Sequence, residues 1–125
     1  MEAHRQYLAG LPEAEPYAMF QRIDRDLDGF IQPLDILKFL RENDSYSFNE
    51  ANCFYLVKFF DSDEDGQLSY AEFLQFVLPC ENSLLRAFAT QKSSNTRIKK
   101  VGDLLPDTIE KELASLLVME LDLHR

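Results

Sequence analysis

Asp24-Arg25-Asp26-Leu27-Asp28-Gly29-Phe30-Ile31-Gln32-Pro33-Leu34-Asp35 and Asp61-Ser62-Asp63-Glu64-Asp65-Gly66-Gln67-Leu68-Ser69-Tyr70-Ala71-Glu72 are two copies of one pattern. Each places aspartates at positions 1, 3 and 5, glycine at 6, an aliphatic residue at 8 and a carboxylate at 12. Alternating acidic residues let a single turn of chain aim several hard oxygens at one point, and the glycine allows the sharp reversal between them. Calcium takes about six to eight such oxygens, so each stretch reads as a loop that wraps a divalent cation.

The flanks repeat as well. Met19, Phe20 and Ile23 precede the first loop as Cys53, Leu56, Val57 and Phe60 precede the second; Ile36, Phe39 and Leu40 follow the first as Phe73, Phe76 and Val77 follow the second. These three- and four-residue steps predict an amphipathic helix on each side of each loop. Asp24 and Asp61 are 37 residues apart, room for one exiting helix, a short linker and one entering helix. The expected fold is therefore all-α, a pair of helix-loop-helix units joined by a short antiparallel bridge between Ile31 and Leu68. Helix starts are expected near Pro12 or Glu13, at Pro33, and at the Ser-x-x-Glu pairs Ser47/Glu50 and Ser69/Glu72.

Outside the repeat, residues 1–12 contain Gly10 and Pro12 and no clear period, and are expected to be a mobile lead-in. Residues 81–125 read as a helical extension: a short helix capped by Asn82 or Ser83, a turn over Lys92–Asn95, a basic cluster of Arg97, Lys99 and Lys100, and a last helix from Pro106. That helix carries Ile109, Leu113, Leu116, Leu117, Met119 and Leu123 on one side and Glu110, Lys111, Ser115 and Asp122 on the other. Glu120 falls within the apolar stripe, which argues against its complete burial. The helix is expected either to lie over the groove of the pair or to dock into a larger assembly. Its pattern reaches Arg125 with neither glycine nor proline to close it, which leaves a longer natural chain open.

Composition narrows the function. The chain of 125 residues has a net charge of −9, and the eight carboxylates at loop positions 1, 3, 5 and 12 account for nearly all of it. A chain so acidic is poorly suited to nucleic acid. No apolar run approaches the roughly 20 residues of a membrane span, so a cytoplasmic protein is expected. Cys53 and Cys80 are read as reduced thiols. His4 and His124 lie at the chain ends, away from any nucleophile arrangement, and the glycines form no phosphate-binding loop, so no enzyme is expected.

On these motifs, residues 13–80 resemble one lobe of the calmodulin and troponin C superfamily of EF-hand proteins. The resemblance implies calcium at two sites. Ligands in the first loop would be Asp24, Asp26, Asp28, the Phe30 carbonyl and Asp35; in the second, Asp61, Asp63, Asp65, the Gln67 carbonyl and Glu72, with Gln32 and Ser69 acting through water. Asp35 stands where the family usually has glutamate, which implies weaker calcium binding and better magnesium tolerance in the first loop. The segments Phe76–Cys80, Leu84–Phe88 and Leu105–Arg125 are also similar to multi-EF-hand proteins of ciliated protists, which implies a cytoskeletal or ciliary setting. A third, metal-free EF-hand with a degenerate loop over 92–103 is a further expectation. The expected role is a regulatory sensor or subunit engaging one dedicated protein partner, an amphipathic helix or a larger assembly. The alternative is a constitutive assembly component in which the metal stabilises the fold.

Overall fold

The computed structural model describes residues 2–91 and 103–124. Among these it is all-α: α1 Glu2–Gly10, α2 Pro16–Ile23, α3 Pro33–Glu42, α4 Glu50–Phe60, α5 Tyr70–Val77, α6 Ser83–Thr90 and α7 Asp107–Leu123. Helices α2 to α5 form the expected pair, with α2 packed on α5 and α3 on α4. Ile31 and Leu68 make the antiparallel bridge, each N–H donating to the other's carbonyl at 2.8 Å. Beneath it lies a phenylalanine core in which Phe20, Phe39, Phe73 and Phe76 are fully buried. Phe20 meets Phe73 edge-on at 5.6 Å between ring centres.

Two helix starts differ from expectation. α2 begins at Pro16, four residues later than the expected Pro12, because proline has no N–H to bond back to residue i−4. Pro16 also holds Glu15 extended, and the Glu15 carboxylate caps the helix by accepting the Ala18 N–H at 2.6 Å. At α4 the capping box is Asn49 with Asn52, not Ser47 with Glu50. Their amides bond each other's backbone N–H at 2.9 and 3.0 Å, while Phe48 and Cys53, both buried, occupy the hydrophobic-staple positions. The Ser69/Glu72 box and Pro33 at a helix start are as expected.

The larger correction concerns residues 2–10, which form α1 instead of an unstructured lead-in. Leu8 and Ala9 are buried, and the helix packs on α6 and α7. Its polar residues hold it there. The Glu2 carboxylate accepts the N–H groups of Cys80 at 2.8 Å and Glu81 at 3.1 Å, while Arg5 donates to the Phe76 carbonyl and His4 reaches Glu112 at 3.0 Å. Inward-facing polar side chains mask the helical period, which is why α1 is hidden in the sequence.

α7 lies on the pair, and Leu113, Leu116 and Leu117 are fully buried. Leu117 lines one small apolar gap together with Ile23, Ile36, Leu56, Leu68, Phe73 and Phe76, residues from both helix-loop-helix units. Glu120, expected to stay at an edge, is only 3% exposed. Its cost is offset by Arg5, whose Nη2 lies 3.5 Å from the carboxylate, so the helix missed at the N-terminus supplies the missing partner. Glu110, expected on the polar side, is buried too, whereas Met119 and Leu123, expected on the apolar side, are exposed. The turn at Lys92–Asn95, the basic cluster and all of the degenerate loop before Asp103 lie outside the described residues.

Candidate metal centres

The two loops repeat their geometry as well as their sequence. Positions 4 and 6 are left-handed in both, Leu27 at φ 54° and Gly29 at 91°, Glu64 at 58° and Gly66 at 81°. Glycine adopts this conformation readily, whereas Leu27 and Glu64 adopt it at some cost, which the closed loop must offset. Asp24 accepts the Gly29 N–H at 2.8 Å, and Asp61 accepts that of Gly66 at 2.7 Å. Asp28 and Asp65 likewise accept the N–H two residues on, at 3.1 and 3.2 Å. Each loop is thus drawn round its first and fifth residues.

In the second loop Asp61, Asp63, Asp65 and Glu72 each contribute an oxygen, all within 4.8 Å of one another. Calcium–oxygen distances of about 2.3–2.6 Å place ligands on opposite sides of the ion about 4.6–5.2 Å apart, so this cluster is the size of a calcium coordination shell. In the first loop Asp24, Asp26 and Asp28 come together in the same way. Oδ1 of Asp24 is buried there without a hydrogen-bond partner, an acceptor that a cation in the loop would satisfy. The donor set fits a hard divalent ion in both loops.

Position 12 separates them. Glu72 folds back across its loop, with Oε2 accepting the N–H groups of Ser62 at 2.6 Å and Asp63 at 3.3 Å while Oε1 caps α5 through the Ser69 N–H at 2.9 Å. Asp35 caps α3 through the Gln32 N–H at 3.0 Å and does not join the three-carboxylate cluster. One missing methylene accounts for the difference in reach. Phe30 and Gln67 sit at position 7, each bonded through its N–H to the aspartate before it, and the Gln32 and Gln67 amides approach at 3.4 Å across the two loops.

Crowding shows in the acidities. Burial pushes Asp24 up to about 7, helped by neighbouring Asp28 and Asp26 and opposed by the Gly29 N–H. A hydrogen bond with Asp61 raises Asp63 to about 6. Burial raises Asp35 as well, and Asp26 and Asp28 add to it. Glu72 lies below its ordinary range, since the Ser69, Asp63 and Ser62 N–H groups outweigh its burial. Because Asp24 is raised above its unfolded value, the calcium-free fold gains stability from this group as pH falls below about 7 and loses it as pH rises through that value. Calcium requires the carboxylate deprotonated, so its affinity should rise from pH 6 to 7.5 with proton release. Calorimetric titration in two buffers of different ionisation heat checks this; binding heats that do not depend on the buffer near pH 6.5 would contradict it.

Sequence reading missed a buried ion pair behind the first loop. Arg22, two residues before Asp24, donates to both oxygens of Glu110 in α7 at 2.7 and 3.0 Å and to Glu42 at 3.1 Å, with its guanidinium 4.8 Å from the Phe39 ring. Asn43 and the Leu105 N–H also reach Glu110, both at 3.3 Å. The available signal was Arg22 lying between Met19 and Ile23 on the inward face of α2. Cys53 is buried, which pushes its thiol up to about 11, so it is a core residue.

Comparison with known proteins agrees with this geometry. Peflin of Mus musculus is 30% identical over 61 residues, 49% of this chain and 22% of that protein, so the match covers less than a quarter of that relative's length. No solved structure matches. No helix among the described residues is long and apolar enough to cross a membrane. Residues 14–78, more than half of the chain, match the EF-hand domain pair, and with both loops closed round their carboxylates the chain belongs to that calcium-binding family.

Proposed function

We propose that the chain is a calcium-regulated sensor or subunit in which α7 is the internal ligand of the EF-hand groove and a dedicated protein partner competes with it. Two calcium ions bind, one through Asp24, Asp26, Asp28, the Phe30 carbonyl and Asp35, the other through Asp61, Asp63, Asp65, the Gln67 carbonyl and Glu72. Gln32 and Ser69 complete the shells through water. The second site is the tighter, and magnesium competes better at the first. The observation that carries the reading is Leu117, buried among residues of both units of the pair.

The coupling is mechanical. Asp35 and Glu72 occupy the third position of α3 and α5, so drawing either carboxylate toward an ion moves the helix that bears it. Those helices share the groove that holds α7. The groove is lined by phenylalanine, with Met19 its one buried methionine among the described residues, which favours one partner over many. Hydrogen exchange of the full chain in calcium and in chelator tests the proposal: amides from Leu113 to Leu117 should lose protection in calcium while α4 gains it. Equal protection of α7 in both conditions, with calcium binding verified by calorimetry, would favour the constitutive assembly component.

A further inference from the structure

The outer face of α4 is an unusual surface for a helix whose other side lies in a core. Its exposed residues are Glu50, Ala51, Phe54, Tyr55, Lys58 and Phe59, spaced so that they form one continuous strip. The three rings are 46%, 55% and 66% exposed, and Phe54 meets Tyr55 edge-on at 5.8 Å. Together they leave on the order of 300 Å² of aromatic surface in water, the size of patch that on a monomer is often functional. The two charges stand at its ends. Glu50, Phe54 and Lys58 follow at intervals of four, so they lie along one line about 12 Å long, acidic at one end, basic at the other and aromatic in the middle.

Such a line is complementary to itself when reversed. A twofold axis through Phe54 sets two copies of α4 antiparallel, brings Glu50 opposite the partner's Lys58 and Lys58 opposite the partner's Glu50, and stacks the rings between them. Ala51 is small enough to let the helices approach. We propose that α4 is the contact face of an isologous dimer of this chain, formed by antiparallel packing of Phe54, Tyr55 and Phe59 with reciprocal Glu50–Lys58 pairs. The aromatic strips of two copies bury less than a standard stable interface, so the association is reversible and micromolar.

Sedimentation of the full chain from about 1 to about 500 µM, in calcium and in chelator, tests this. The expected result is a concentration-dependent shift from one chain mass to two. Phe54→Glu should abolish it, and since that side chain is half in water, the helical circular dichroism should not change. Glu50→Lys makes both end positions basic and Lys58→Glu makes both acidic, so each variant alone should dimerise at least about tenfold more weakly. Mixing the two should restore association as a heterodimer. A chain that stays monomeric throughout the range, or a dimer indifferent to Phe54→Glu, overturns the proposal. Charge variants that do not rescue each other in mixture overturn the antiparallel register.

Discussion

Saturating calcium is expected to raise the melting temperature of the full chain by about 15 to 20 °C over the same protein in chelator. An ion that binds only the folded state at a hundredfold excess over its dissociation constant contributes about 2.7 kcal/mol, and two sites about 5 kcal/mol. A domain of this length moves by about 4 °C per kcal/mol. The structural motive is the crowding of seven carboxylates into two clusters, where burial raises Asp24 to about 7 and a hydrogen bond with Asp61 raises Asp63 to about 6. Relief of that repulsion is available only while the loops are folded. Glu72→Gln should remove at least half of the shift together with the tighter binding event, because Glu72 is the position-12 residue that reaches into its cluster. Asp35→Asn should cost less, since Asp35 stands apart from the other three carboxylates of its loop. A melting temperature indifferent to chelator would mean that the loops hold their shape by hydrogen bonds alone. If the Asp35 variant lost the tighter event and the Glu72 variant kept it, the ranking of the sites would be reversed.

Breaking the Arg22–Glu110 pair from one side should be among the most damaging single substitutions in the described residues. Both side chains are more than nine-tenths buried, and the pair joins the entering helix of the first loop to α7. Glu110→Leu leaves the Arg22 guanidinium with half-exposed Glu42 as its carboxylate partner, beside the Phe39 ring, while Arg22→Met leaves a buried carboxylate with the Asn43 amide and the Leu105 N–H. An orphaned buried charge costs about 3–5 kcal/mol, a large part of the roughly 5–15 kcal/mol that holds a domain together. The double variant removes both charges and should recover most of the loss, because an apolar pair of similar volume fills the same space without desolvating an ion. Urea midpoints measured at one fixed calcium concentration give the cycle. A double variant as unstable as the sum of the singles would show that the two residues do not act as a unit.

Much of this was legible in the residues alone. A loop that wraps an ion is a local object: its ligands lie within twelve residues, its reversal is a glycine, and the order Asp24, Asp26, Asp28, Gly29 reads directly as geometry. The amphipathic helices and the Ile31–Leu68 bridge follow because each depends on short-range period or on the duplication of a unit. What the sequence could not decide was where charged residues outside the loops would go. Glu110 looks like a solvated position, Glu120 interrupts an apolar stripe, and Arg5 sits in a stretch with no readable period. Only the tertiary structure brings Arg5 to Glu120 across 115 residues and Arg22 to Glu110 across 88. Burial of a lone charge is prohibitive and burial of a pair is tolerable, so the fate of each of these residues depends on a partner far away in the chain. The loops were determined by neighbours in sequence; the seating of α1 and α7 on the EF-hand pair was decided by neighbours in space.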